Sequence, residues 1–326
     1  MLARLTCRKF STKVGKKLSY VSGTSDVPLL YETIGEMLRK QTLKYPKNLA
    51  WAFYDHKVEY TYEEFDQRVD EIAKGLIALG LQKGDRVGIY SPNRPEWVLT
   101  QYACSRADLI LVNVNPAFQT EDLEYSLNKV GVSALVMPES HSKSNYVDIV
   151  RHLIPDIGKD NSTTINSDIV PDLKHVIVTG TKKHKGMINF DELYDIYSHS
   201  DAKELQKRED EIDFESPTNI QFTSGTTGFP KGATLSHLNI LNNGYMLARI
   251  MGFTQETKIC VCVPLYHTMG MVMSNLAALS MGGTWVYPWE GFKPILSLKA
   301  IEKYKCESAC GVPSMFVGIL KEFKDK

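Results

Sequence analysis

Phe222-Thr-Ser-Gly-Thr-Thr-Gly-Phe-Pro-Lys-Gly232 gathers three glycines, four hydroxyl side chains and one lysine into eleven residues. Ile220, Gln221 and Phe222 before it read as the end of a strand, and residues 235–250 after it read as a helix. A loop of this composition between a strand and a helix suits polyphosphate. Glycine lets backbone N–H groups come close to phosphate oxygens, hydroxyls donate hydrogen bonds, and Lys231 adds a compact positive charge. The loop is not a Walker A loop, which ends in Gly-Lys-Ser/Thr; here Pro230 precedes Lys231 and Gly232 follows it. A plain Gly/Thr-rich surface turn requires neither this order nor the lysine.

On both sides of the loop, strands and helices alternate. Residues 31–44 read as a helix, and 49–54 with 57–62 as a hairpin turning at Asp55-His56. Thr61-Tyr-Glu-Glu64 has the form of a capping box and opens a helix running to about Leu79. Strands at 86–90, 109–114 and 134–137 then alternate with helices at 95–106 and 120–129. Beyond the loop, strands at 258–263, 284–287 and 308–310 alternate with helices at 269–279, 294–304 and 313–323. This is βαβ grammar. It predicts an α/β fold of two stacked, mostly parallel-sheet subdomains flanked by helices, the first over about 26–215 and the second over about 216–326. Residues 156–172 read as a surface loop, and the charged run 200–213 as an exposed helix or linker with a solvated face.

Composition excludes several classes. The chain has 326 residues, with 38 basic and 38 acidic, so no net charge draws it to nucleic acid. No run of about 18 apolar residues is present to span a membrane; the nearest candidate, 269–281, is too short and carries Ser274 and Asn275. Cys260 and Cys262 share one face of a strand, and Cys306 and Cys310 lie four apart without a paired histidine. They read as reduced, buried thiols, and no metal-ligating set is assigned. Residues 1–25 differ from the rest: Arg4, Arg8, Lys9, Lys13, Lys16 and Lys17 precede the first acid, Asp26, with Ser and Thr interspersed and no apolar core segment. That pattern predicts a mitochondrial transit peptide and a matrix location, and Arg8-Lys9-Phe10-Ser11 resembles a matrix-processing site.

The loop resembles the phosphate-loop signature of the adenylate-forming superfamily of acyl-CoA synthetases, luciferases and peptide-synthetase adenylation domains. Lys83-Gly-Asp-Arg-Val-Gly-Ile89, Val114-Asn-Pro-Ala-Phe-Gln119 with Glu124-Tyr125, Gly232-Ala-Thr-Leu-Ser-His-Leu-Asn239, Pro264-Leu-Tyr-His267 and Gly311-Val-Pro-Ser-Met-Phe316 extend the likeness. It runs from about residue 18 to the end and is nearest to the mitochondrial medium-chain acyl-CoA ligases. The resemblance implies a two-step reaction: a fatty acid carboxylate attacks the α-phosphate of ATP, and the thiol of coenzyme A then displaces AMP. It implies that Thr223, Ser224, Gly225, Thr226, Thr227, Gly228, Phe229, Pro230 and Lys231 hold the β and γ phosphates with Mg²⁺. His267 would sit near the carboxylate and α-phosphate, and Tyr266, Gly311, Val312 and Pro313 would wall the acyl pocket. Family members are much longer than this chain. No Tyr-Gly-x-Thr-Glu element, whose glutamate assists Mg²⁺, follows the loop; Thr120-Glu121 lies upstream of it. The ribose-holding aspartate, the hinge and the C-terminal domain with its lysine have no match either. Residues 26–326 are therefore expected to be an incomplete N-terminal adenylation domain, inactive alone. The alternative is a non-catalytic nucleotide-binding or interaction module; the sequence indicates no particular protein partner.

Overall fold

The computed structural model describes residues 27–160, 162–223 and 229–324. The expected transit peptide, and Ser224, Gly225, Thr226, Thr227 and Gly228 of the phosphate loop, lie outside the described residues. In chain order the strands are β1 (Leu49–Phe53), β2 (Val58–Thr61), β3 (Arg86–Tyr90), β4 (Ile110–Val114), β5 (Val132–Pro138), β6 (Ser140–His141), β7 (Ser144–Asn145), β8 (His175–Thr179), β9 (Ile188–Asn189), β10 (Pro217–Thr223), β11 (Lys231–Ser236), β12 (Lys258–Val261), β13 (Thr284–Tyr287) and β14 (Ser308–Cys310). They build a seven-stranded sheet in the order β11-β10-β4-β3-β5-β8-β9 and a five-stranded sheet in the order β14-β12-β13-β1-β2, with β6 and β7 as a small ribbon. Within the two large sheets every pairing is parallel except the edge pairs β10–β11 and β1–β2.

The apolar pattern explains the layering. Parallel strands covered on both faces are largely apolar along their length, as in Val132–Pro138 and His175–Thr179, which are buried throughout with Ser133, His175 and Thr179 as the polar exceptions. One continuous core lies between the sheets, joining Trp51, Phe53 and Trp285 of the small sheet to Val87, Ile89 and Leu111 of the large one. The other face of the large sheet packs through Val112, Leu135 and Met137 on Leu123, Leu127, Tyr146 and Val150 of helices 120–130 and 146–153. The outer face of the small sheet packs through Ala52 and Val286 on Ala300 and Tyr304 of helix 294–304. The α/β expectation of stacked, mostly parallel sheets flanked by helices holds. Among the described residues no helix is long and apolar enough to cross a membrane.

Two expectations are corrected. The sheets do not divide the chain near 215/216. β10 and β11 complete the large sheet, while β1 and β2, far upstream, complete the small one. Aromatic packing fixes the second crossover: Trp51 registers with Trp285, and Phe53 stacks on Tyr287 at 4.3 Å. The phosphate loop, in turn, does not lead directly into a helix. Lys231 starts β11, which returns antiparallel to β10 with Thr223 opposite Lys231. Only at Ser236, whose side chain accepts from Asn239 N–H, is helix 237–251 capped. The segment between Thr223 and Lys231 thus joins the two strands of a β-hairpin rather than a strand to a helix. Helix 146–153, β8 and β9 were not anticipated.

The charged run 200–213 is helical over 199–211 and mostly exposed, but it is not merely a solvated face. Arg208 is buried and donates to the carbonyls of Ala107 (3.1 Å) and Leu81 (3.0 Å), and Glu209 reaches Arg106 and Arg39. The described cysteines are free thiols, with Cys260 and Cys262 sulfurs 3.8 Å apart. His237, at the start of helix 237–251, is buried and accepts the Ile34 N–H on Nδ1 at 3.2 Å. Burial holds its pKa down at about 4. The unfolded chain therefore takes up this proton first, so His237 contributes stability above about pH 6.5 that is lost as pH falls toward 4. We expect His237→Asn to flatten the loss of denaturation free energy between pH 7 and 4.5 by roughly 2–3 kcal/mol; an unchanged pH slope would contradict this assignment.

Candidate active site

In open parallel sheets, ligands bind beyond the carboxyl ends of the strands. The sequence-predicted residues fall there. Thr223 ends β10, Tyr266 and His267 follow β12, and Gly311, Val312 and Pro313 follow β14. Backbone bonds keep the last two segments adjacent: Val261 registers with Cys310, and Cys262 N–H donates to Cys310 carbonyl at 3.0 Å. Two buried asparagines bring the ends of the two sheets together. Asn93, past the end of β3, donates through Nδ2 to Val263 carbonyl (3.0 Å) and accepts Leu265 N–H (2.7 Å). Asn113 of β4 donates through Nδ2 to Tyr266 carbonyl at 3.0 Å.

His267 is exposed, and its Nδ1 accepts Met269 N–H at 3.1 Å. In the neutral ring this leaves the hydrogen on Nε2, which is free to donate. The turn behind it is tight. A Cβ on Gly270 would fall 2.3 Å from Pro264 carbonyl oxygen, so only glycine lets the helical segment 268–281 approach so closely. On the other side, Phe229 and Pro230 are held by Tyr125: its ring stacks on Phe229 at 5.1 Å, and its hydroxyl donates to Pro230 carbonyl at 2.9 Å. Lys231 is exposed at the start of β11. The structure therefore gathers Thr223, Phe229, Pro230 and Lys231 into one hairpin, and Tyr266 with His267 into a segment tied to the neighbouring strand β4.

Several contributors escaped sequence reasoning. Asn113 is a polar residue inside the otherwise apolar run 109–114, and that interruption was the available signal; Asn93 and Asn219 lie in polar, proline-containing segments that give none. Glu290, after β13, gathers Arg94 Nη2 at 2.5 Å, His141 Nδ1 at 2.6 Å and His56 Nε2 at 3.4 Å. Arg94 follows β3, His141 ends β6 and His56 follows β1, so nothing in their sequence spacing links them. Burial pushes Glu290 up, but His56, Arg94 and His141 outweigh it and hold the carboxyl at about 2. Asn93 N–H also donates to Glu290 carbonyl at 3.0 Å, so this ionic knot braces the same junction. Among the described residues no group of His, Cys, Asp and Glu is arranged to hold a metal ion. A surface cavity of about 940 Å³ lies away from the strand ends, beside Arg39, Arg106 and Glu209.

Comparison with known proteins agrees with this geometry. Residues 38–326 match the family described as AMP-binding enzyme. The chain is 39% identical over 304 residues to the mitochondrial medium-chain acyl-CoA ligase ACSF2 of Danio rerio, covering 93% of this chain and 50% of that protein. It is 36% identical over 320 residues to the human protein of the same name, covering 97% of this chain and 52% of that one. The chain thus spans about half the length of the curated relatives it matches. In fold it is similar to a solved long-chain-fatty-acid-CoA ligase, FadD1, from Archaeoglobus fulgidus, with a TM-score of 0.73, 22% identity, and coverage of 95% of this chain and 57% of that one. With its phosphate-loop hairpin, its paired sheets and a match over most of its length, the chain belongs to the AMP-binding enzyme family.

Proposed function

We propose that these residues form the phosphate cradle and part of the acyl wall of an ATP-dependent fatty acid:CoA ligase. The observation that carries the proposal is the convergence of Thr223, Tyr266–His267 and Gly311–Pro313 beyond the carboxyl ends of parallel strands in both sheets. In the first step a fatty acid carboxylate oxygen bonds to the α-phosphorus and pyrophosphate leaves. In the second, the thiol of coenzyme A displaces AMP. Charge rises on the phosphates in the first transition state, and aligned N–H groups, hydroxyls and Lys231 lower its energy. His267, whose Nδ1 accepts Met269 N–H, presents Nε2–H as a donor to the acyl carboxylate or α-phosphate. Tyr266, Gly311, Val312 and Pro313 contribute apolar wall. Mg²⁺ supplies countercharge to the triphosphate; the chain's own residues act on the phosphates directly.

Two tests arise from this reading. Charge-assisted hydrogen bonds contribute about 1.5–3 kcal/mol, so Lys231→Ala weakens ATP binding roughly tenfold or more by titration calorimetry. Lys231→Arg fails to restore it in full, because a planar guanidinium presents its charge differently from a compact ammonium. Equal ATP affinity in wild type and Lys231→Ala removes the loop from the binding site. We also assign residues 1–25 as a transit peptide to the mitochondrial matrix, in line with the mitochondrial relatives. A reporter fused to residues 1–30 is then imported and shortened; uniform cytosolic fluorescence counts against the assignment.

A further inference from the structure

Three carboxamides run in one direction through the interior beside β10 and β4. Gln221 Nε2 donates to Asn219 Oδ1 at 3.0 Å. Asn219 Nδ2 donates to Asn113 Oδ1 at 2.9 Å and to Leu111 carbonyl at 3.0 Å. Asn113 Nδ2 donates to Tyr266 carbonyl at 3.0 Å and lies 3.6 Å from Met271 sulfur. All three are buried, Asn219 to within 1% of complete and Asn113 to within 3%. The pleat accounts for the alignment. Asn219 and Gln221 are two apart and share a face, and parallel pairing sets Asn219 beside Leu111 and Gln221 beside Asn113. Both Nδ2 hydrogens of Asn219 have partners, which fixes the orientation of its amide. Hydrogen bonds donated in one sense polarise one another.

An apolar strand pair here would carry Val, Ile or Leu and avoid the cost of burying three amides. The position of the chain suggests what the amides supply. Gln221 is two residues before Thr223, where β10 runs out toward the phosphate hairpin. Tyr266, at the far end, immediately precedes His267. With Asn93 already holding Val263 carbonyl and Leu265 N–H, the bond to Tyr266 carbonyl fixes the last peptide before the histidine.

We propose that Asn113 and Asn219 are positioning residues that lock the 264–267 segment to the strand leading into the phosphate hairpin, and so set the direction in which His267 presents its Nε2–H. The functional meaning rests on the reading that His267 serves acyl-phosphate chemistry, whereas the positioning itself is measurable without ligand. A shift of β10 passes to Tyr266 through two hydrogen bonds, so the phosphate hairpin and His267 move as a unit.

The test uses the full chain labelled with ¹⁵N-histidine, with the His267 signals assigned by His267→Gln. In the wild type Nδ1 resonates as an unprotonated acceptor and Nε2 as a protonated nitrogen. In Asn113→Leu the two resonances draw together as the tautomers mix, and amide exchange over residues 264–270 rises about tenfold or more while residues 132–138 stay unchanged. Because Asn113→Leu leaves Asn219 with an unpaired buried donor, Asn113→Leu with Asn219→Leu is made as well; it removes that orphan, leaves only the less deeply buried Gln221 Nε2 without its acceptor, and so recovers part of the lost stability. Positioning predicts that the His267 signature stays lost in the double variant. Recovery of the signature together with stability would reduce the relay to a structural role, and an unchanged signature in Asn113→Leu would overturn the proposal outright. ATP titration of the wild type separates the two claims: normal His267 positioning without ATP binding refutes the nucleotide reading and leaves the relay intact.

Discussion

We expect the purified 326-residue chain, given octanoate, ATP, Mg²⁺ and coenzyme A, to form no acyl-CoA and to exchange no pyrophosphate into ATP. On the proposed reading, the chain brings a phosphate hairpin, His267 and part of an acyl wall to the strand ends. The family resemblance requires more: a glutamate in Tyr-Gly-x-Thr-Glu to assist Mg²⁺, an aspartate to hold the ribose, and a lysine on a mobile domain. None of these has a counterpart among the residues after the loop. Adenylation depends on holding carboxylate and α-phosphate in line, and fixed geometry of this kind supplies about 7–11 kcal/mol. Removing a single preorganised electrostatic contact typically costs about a hundred- to a thousandfold in rate. With several such contacts unmatched, turnover at least about ten-thousandfold below that of a full-length ligase is expected. Pyrophosphate exchange and thioester formation measure the two steps separately. Turnover within tenfold of a full-length ligase would mean that other residues of this chain fill those roles.

Arg106→Ala destabilises the fold by about 3–5 kcal/mol, on the order of 10 °C in melting temperature. The side chain is fully buried at the end of helix 95–106. Its Nη2 lies 2.5 Å from Asp66, its Nη1 2.7 Å from Asp70, and its Nε 3.1 Å from Glu209. Arg39, on helix 34–44, contacts the same three carboxylates. Two arginines thus balance three acids where four helices meet. Losing the buried arginine leaves an excess of carboxylate charge in a poorly solvated site, whereas losing Arg39, which is 38% exposed, lets water compensate. Arg39→Ala should therefore cost clearly less. Chemical denaturation of both variants decides the matter; a cost under about 1 kcal/mol for Arg106→Ala would show that water or relaxation replaces the guanidinium.

A third exposed feature is helix 313–324, which shows Phe316, Val317, Leu320 and Phe323 to solvent, the last at 67% exposure. An apolar face of this kind favours self-association at high concentration.

Much of the fold was readable because its signals are local. Thr61 and Glu64 form the capping box that their spacing suggested, and Pro95 and Pro294 begin helices as N1 prolines do. Sheet membership was not readable in the same way. Nothing in Leu49–Phe53 reveals that it pairs with Thr284–Tyr287, because a parallel crossover is chosen by packing across more than 200 residues. β11 was missed because Lys231–Ser236 is short, half-exposed and bounded by a helix cap that looks like a continuation of the loop. At the proposed site, composition and order single out Thr223 to Lys231 and His267. They assign no place there to Asn93, Asn113 and Glu290, since their roles arise only where strand ends converge.

The central claim is that nucleotide and acyl group meet where β10, β12 and β14 end. Amide hydrogen exchange with and without a non-hydrolysable octanoyl-adenylate analogue tests it most directly. We predict protection of the hairpin around 217–236 and of residues 262–271 together, with the cavity beside Arg39 and Arg106 unaffected. Binding that protects that cavity, or neither segment, would contradict the account.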